Sequence, residues 1–89
     1  MKAIITVLGK DMVGILAKVS TLCAQRNANV IEVTQSIMQD MFAMIMMVDV
    51  SEASVPFLEL EKELVALGEG LGMKIHAMHE DIFNSMHRI

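Results

Sequence analysis

The chain has 89 residues, a formal net charge of −4 and one cysteine. That length holds one domain, here residues 1–89, rather than two. The Lys and Arg residues are scattered without a basic stripe, which argues against nucleic acid and anionic membranes as partners. A lone cysteine forms no internal disulfide, as expected in a reducing compartment.

Apolar residues make up 54% of the chain, yet only three residues are aromatic and ten are Met, a flexible filler of cores and contact surfaces. So much apolar material on a small domain predicts a homodimer or higher homo-oligomer that covers part of it. The apolar run Ala3 to Leu8 is broken at once by Gly9-Lys10-Asp11. It is too short for a secretory signal, and no run approaches the roughly 20 residues that span a bilayer. The expectation is a cytoplasmic protein.

Residues 2–8, KAIITVL, read as a short buried strand. Next, Gly9 to Gly14 reads as a turn. Ile15, Leu16, Val19, Leu22 and Cys23 then share one face of a helix placed at about 13–27, which Asn27 or Asn29 closes in left-handed geometry. Residues 29–38 alternate as a half-buried strand, with Ile31, Val33 and Ile37 on one side. Gln39-Asp40-Met41 is a tight-turn candidate. Phe42 to Val50 is nearly all apolar and reads as a central strand covered on both faces. Ser51 and Ser54 are N-cap candidates for a second helix, with Pro56 in its first turn. Phe57, Leu60, Leu64, Leu67 and Leu71 form its apolar stripe, and Gly68, Gly70 and Gly72 loosen its end. Residues 73–79 are a fourth strand. Asp81 is the candidate cap of a last short helix with Ile82, Phe83, Met86 and Ile89 on one side.

The order β-α-β-β-α-β gives an α+β, ferredoxin-like sandwich: a four-stranded antiparallel sheet with two helices on one face. The other face is bare in a monomer, and edge pairing or sheet stacking with a second chain is its natural outlet. Function must then come from a site. No Met-x-Cys-x-x-Cys turn precedes helix 1, and Cys23 falls on the apolar face of that helix, where a thiol is inert. RNA-binding members of this topology stack bases on aromatic residues of the central strands, and Phe42 alone is on offer here. His76 and His79, three apart on a strand, point to opposite faces and do not chelate together. His87 remains a candidate neighbour of Glu80 or Asp81. There is no convincing nucleophile, metal cluster or cofactor motif, so no catalysis, metal or cofactor is expected.

Gly9 and Gly14 have the glycine spacing of a phosphate-binding loop, but Ile15 and Leu16 stand where Lys and Ser or Thr are required. As a strand-to-helix connection, Gly9 permits a bend, Asp11 caps helix 1 and Gly14 allows close packing. A helix start also presents free N–H groups to an anion. A carboxylate on the N–H groups of about residues 13–16, with an ammonium at Asp11, describes an amino acid.

The same stretch, LGKDMVGIL, resembles the Asp-x-Pro-Gly-x-Leu turn of ACT domains, small ligand-sensing modules of this fold. The Ala28-Asn29-Val30 step is similar to the one that opens the family's second strand. Gly9, Asp11, Gly14 and Ile15 also match the turn in the ACT units of the glycine cleavage system repressor and of formyltetrahydrofolate deformylase. The ending HEDIFNSMHRI is similar to that of free-standing, single-domain bacterial and archaeal members. The resemblance implies a non-catalytic regulatory homodimer that binds an amino acid between the helix 1 turn of one chain and strand 2 of its neighbour. It carries over to Gly9, Asp11, Met12, Val13, Gly14, Ile15 and Asn29 as ligand-binding positions. Met12 and Val13 depart from the family's usual Arg and Pro, so the turn has one cation fewer and less preorganisation. The alternative function is a protein–protein interaction module, with a purely structural turn and a protein partner docked on the Met-rich third strand and terminal helix.

Overall fold

Lys2–Lys10 forms strand β1, which pairs antiparallel with β3 (Met41–Asp49) on one side and β4 (Lys74–His79) on the other. β2 (Asn29–Met38) pairs antiparallel with the far side of β3, so the sheet order is β2-β3-β1-β4. Helices α1 (Ile15–Gln25) and α2 (Phe57–Leu71) make the two crossovers, and a seven-residue α3 (Glu80–Met86) follows β4 directly. This is the expected ferredoxin-like sandwich. The structure is a computed structural model, and it describes residues 1–10 and 14–86.

Alternation along the strands sorts the side chains. Ala3, Ile5 and Val7 of β1, Phe42, Met44, Met46 and Val48 of β3, and Ile75 and Ala77 of β4 are buried on one face. Ile15, Val19 and Cys23 of α1 and Leu60 and Leu64 of α2 close over them. The opposite face is only partly covered: Leu8 and Ile45 are 48% and 42% exposed. Strand β3 is therefore central, as expected, but it is not covered on both faces.

Several local expectations change. Helix α1 is shorter than 13–27, and Asn27, just past its end, is left-handed at φ 58 as expected. A bulge between Val30 and Glu32 turns Ile31 outward, so Val30 takes its place beside Val33, which faces the core as expected. Ile37 is 59% exposed. The α2 N-cap is Pro56, with no side-chain cap from Ser51 or Ser54. Asp81 lies inside the first turn of α3, and its N–H donates to Nδ1 of His79 at 3.1 Å. Ile82 and Met86 of α3 are exposed.

The glycines of α2 do more than loosen its end. Gly72 closes the helix at φ 71. Gly68 is buried, and a Cβ there would stand 2.7 Å from the Met73 carbonyl oxygen and 2.8 Å from Cγ1 of Ile75. Helix and strand approach so closely that only hydrogen fits. Around Gly70 there is open space. Gly68→Ala is accordingly expected to destabilise the fold by about 1–3 kcal/mol, and Gly70→Ala to stabilise it by about 0.5–1 kcal/mol. Urea denaturation of both variants checks the opposite signs.

Candidate functional site

Between β1 and α1 the chain passes through Gly14, the α1 N-cap, at φ 84 and ψ 5. L-residues with a Cβ rarely adopt that conformation. A Cβ on Gly14 would meet nothing within 4 Å. The glycine therefore serves backbone conformation, and the expected close-packing role is corrected. Ile15 next to it is buried and anchors the helix start. Gly14 has no side chain to cap α1, and the first turn of the helix holds no acidic residue. The first backbone bond of the helix runs from the Lys18 N–H to the Gly14 carbonyl at 3.0 Å. The N–H groups of Ile15, Leu16 and Ala17 precede it and have no intrahelical acceptor.

Gly9 also takes a different role. It lies inside β1 opposite Phe42 rather than at a bend. A Cβ there would come 3.0 Å from Cγ and Cε of Met73. The missing side chain lets Met73 pack under the end of β1. Asp11, Met12 and Val13, with the expected Asp11 cap, lie outside the described residues.

Asn29 opens β2 opposite Asp49, which pairs in turn with Lys2. Gly9 is level with Phe42. The two candidate positions are thus separated by the seven steps along β3 from Phe42 to Asp49, about 23 Å at roughly 3.3 Å each. Within one chain the fold does not bring Asn29 to the start of α1. Asn29 instead lines a polar hollow of about 380 Å³ with Asn27, Asp49, Ser51 and Glu52. Its polar groups bond locally: Asn27 Nδ2 donates to the Glu52 carbonyl at 2.8 Å, and the Ser51 N–H to Asp49 Oδ1 at 2.9 Å. The Ser51 hydroxyl and N–H hold the Asp49 carboxyl below the usual range.

A larger cleft of about 670 Å³ opens between α1 and α2, with Lys18, Thr21, Leu22, Glu63 and Leu67 on its walls. It is shallow and includes none of the candidate residues. Beside it, Arg26 Nε lies 2.9 Å from both oxygens of Glu63, and Nη2 lies 2.6 Å from Oε2. This fork ties the end of α1 to α2. Spacing along the chain does not show it, because Glu63 stands among Glu59, Glu61 and Lys62 on the polar flank of α2. The Arg26 hydrogen bonds, aided by its charge, hold the Glu63 carboxyl below the usual range.

His76 and His79 pair with Thr6 and Ala3 and face opposite sides of the sheet. Cys23 is fully buried, and burial pushes its thiol pKa up. His87 lies outside the described residues. No helix among the described residues is long and apolar enough to cross a membrane.

A four-stranded antiparallel sheet whose two crossovers are helices defines the ferredoxin-like class of α+β domains. Residues 2–78 match the ACT domain family model, and the chain belongs to that family. It is 48% identical over 88 residues to a UPF0237 protein of Methanocaldococcus jannaschii, covering 99% of this chain and 98% of that one. An ACT domain protein from Streptococcus pneumoniae superposes with a TM-score of 0.81 at 38% identity, covering 93% of each chain. A protein assigned as a glycine cleavage system transcriptional repressor shares the fold with a TM-score of 0.75 at 23% identity, over 89% of this chain and 47% of that one. ACT domains are in general regulatory units that bind small molecules.

Two outcomes follow from the site's geometry. Gly14→Ala, which forces a Cβ into left-handed backbone, is expected to cost about 1–2 kcal/mol, measured by thermal unfolding. Glu63 has a depressed folded-state pKa, so the unfolded chain binds more protons in the window between the two values. Its contribution is fully present above the ordinary carboxylate range and is lost as the pH falls through the depressed value. Glu63→Gln is expected to lower the melting temperature at neutral pH and to flatten its acid dependence.

Proposed function

We propose that the protein is a cytoplasmic, non-catalytic regulatory domain that binds an amino acid as a homodimer. The observation that carries this reading is the start of α1. An exposed glycine in left-handed geometry stands at the N-cap and gives the first-turn N–H groups no side-chain cap of its own, where the helix dipole favours an anion. A ligand carboxylate rests on the backbone between Gly9 and Ile15, and Asp11 meets the ligand ammonium. Met12 supplies no cation, so the carboxylate depends on backbone N–H groups alone.

Asn29 enters from the second chain. It lies at the opposite end of its own sheet, and β2 is an edge strand. Antiparallel pairing of two β2 edges across a two-fold axis reverses the ends, so each Asn29 moves toward the other chain's α1 start.

Thermal-shift measurements with each of the twenty amino acids at millimolar concentration test this reading. A ligand at 100 times its Kd is expected to stabilise the protein by about 2.7 kcal/mol. Asp11→Ala and Asn29→Ala are each expected to abolish the shift. An equal mixture of the two variants, refolded together, is expected to recover about a quarter of the sites, because each mixed dimer keeps one intact site. No shift with any amino acid rejects the ligand. A shift without recovery in the mixture rejects the shared site.

A further inference from the structure

The sheet face turned away from α1 and α2 is covered at one end only. Ile4 points to this face, between Met47 of β3 and Met78 of β4, and is 3% exposed. Ile45 and Leu8, one and two rows further along the same face, are 42% and 48% exposed, and Met41 beyond them is 44% exposed. What differs is α3, which starts at the end of β4 and contacts both β4 and β1. A seven-residue helix is about 10 Å long and about 10 Å wide. A helix of that size is enough to cover about three residues of each of two strands, which accounts for the burial of Ile4. The far end of β1 is beyond it. The exposed end is also basic, with Lys10 and Lys74 on the same face. The first turn of α3 is acidic, with Glu80 and Asp81, and its Ile82 and Met86 face solvent.

We propose that this face is an interface with a second copy, in which α3 of each chain lies over the uncovered end of the other. The dyad runs in the plane between the sheets and across the strands. That axis exchanges the two ends of every strand. Since α3 starts where β4 ends, the partner's acidic first turn arrives beside Lys74, where β4 begins. Ile82 and Met86 then meet Leu8, Ile45 and Met41. A dyad along the strands would instead bring the acidic turn toward the β2 edge that carries Glu32, so charge selects the first axis. Two such faces, each about four strand spacings by eight residues, come to about 1,000 Å² together, the lower bound for a specific interface.

This contact goes beyond the ligand-binding reading and does not use the β2 edge. With both interfaces formed, two perpendicular two-fold axes close a tetramer. Light scattering coupled to size exclusion tests it. Leu8 and Ile45 are exposed, so Leu8→Lys/Ile45→Lys is expected to retain the wild-type circular dichroism and halve the assembly mass. Tetramer becoming dimer leaves the edge pairing intact; dimer becoming monomer supports the face and removes the edge pairing. Lys74→Glu is expected to raise the dissociation constant at least about tenfold, and adding Glu80→Lys/Asp81→Lys to restore it. A monomeric wild type, an unchanged mass in the lysine variant, or a wild-type assembly that forms only with a different protein overturns the proposal.

Discussion

The alternation along β1 is the constraint on which the rest of the molecule depends. β1 is bonded to β3 on one side and β4 on the other, so its pleat sets the facing of both neighbours. Ala3, Ile5 and Val7 go toward the helices; Ile4, Thr6, Leu8 and Lys10 go the other way. A slip of one residue would send Ile5 and Val7 to the half-covered face and put Thr6 under the helices. Ile4 and Leu8 would take their places, but Thr6 between them would carry a hydroxyl into the centre of the core. The same pleat presents Leu8 and Lys10 at the end that α3 does not reach. It also places Gly9 over Met73, so the register that builds the core also shapes the end of the sheet nearest the candidate site.

Much of this was legible from periodicity. The stripe from Phe57 to Leu71 specified α2, and the apolar runs specified four strands and their order. Long regular patterns report burial directly, because one side of each element must leave water. The same logic overreached on β3, where an unbroken apolar run suggested two covered faces. Composition does not say whether a second face is covered by this chain or by another. On β2 the alternation read from Glu32 to Ile37 holds, but a bulge puts Val30 on the core side and turns Ile31 out, with no residue type that marks it.

The glycines show a different limit. A glycine in sequence signals that a side chain is not tolerated, but not why. Gly14 is required by its φ and Gly68 by a carbonyl 2.7 Å from its missing Cβ. The Arg26–Glu63 fork was invisible for a related reason. It joins residues 37 apart, and only the packing of α1 against α2 brings their charges together. Local reading sees the flank of a helix; the pair belongs to the tertiary structure.

The candidate site is divided by the fold, and the division constrains any assembly that would complete it. β1 carries the chain to one end of the sheet, α1 carries it back, and β2 begins where β1 began. A residue at the start of β2 is therefore always distant from the start of α1 in its own chain. The regular run of β2 beyond the bulge, Glu32–Met38, is centred on Gln35. If two such runs pair antiparallel about that centre, the partner's Asn29 stands about three residues past Met38. Met38 is level with Met41, and Met41 with Lys10. That is the end of the sheet at which β1 finishes and from which the crossover to α1 leaves. The bulge thus falls outside the paired run and beside the crossover of the neighbouring chain. In the proposed dimer it frees the start of β2 from edge pairing where Asn29 would have to face a ligand.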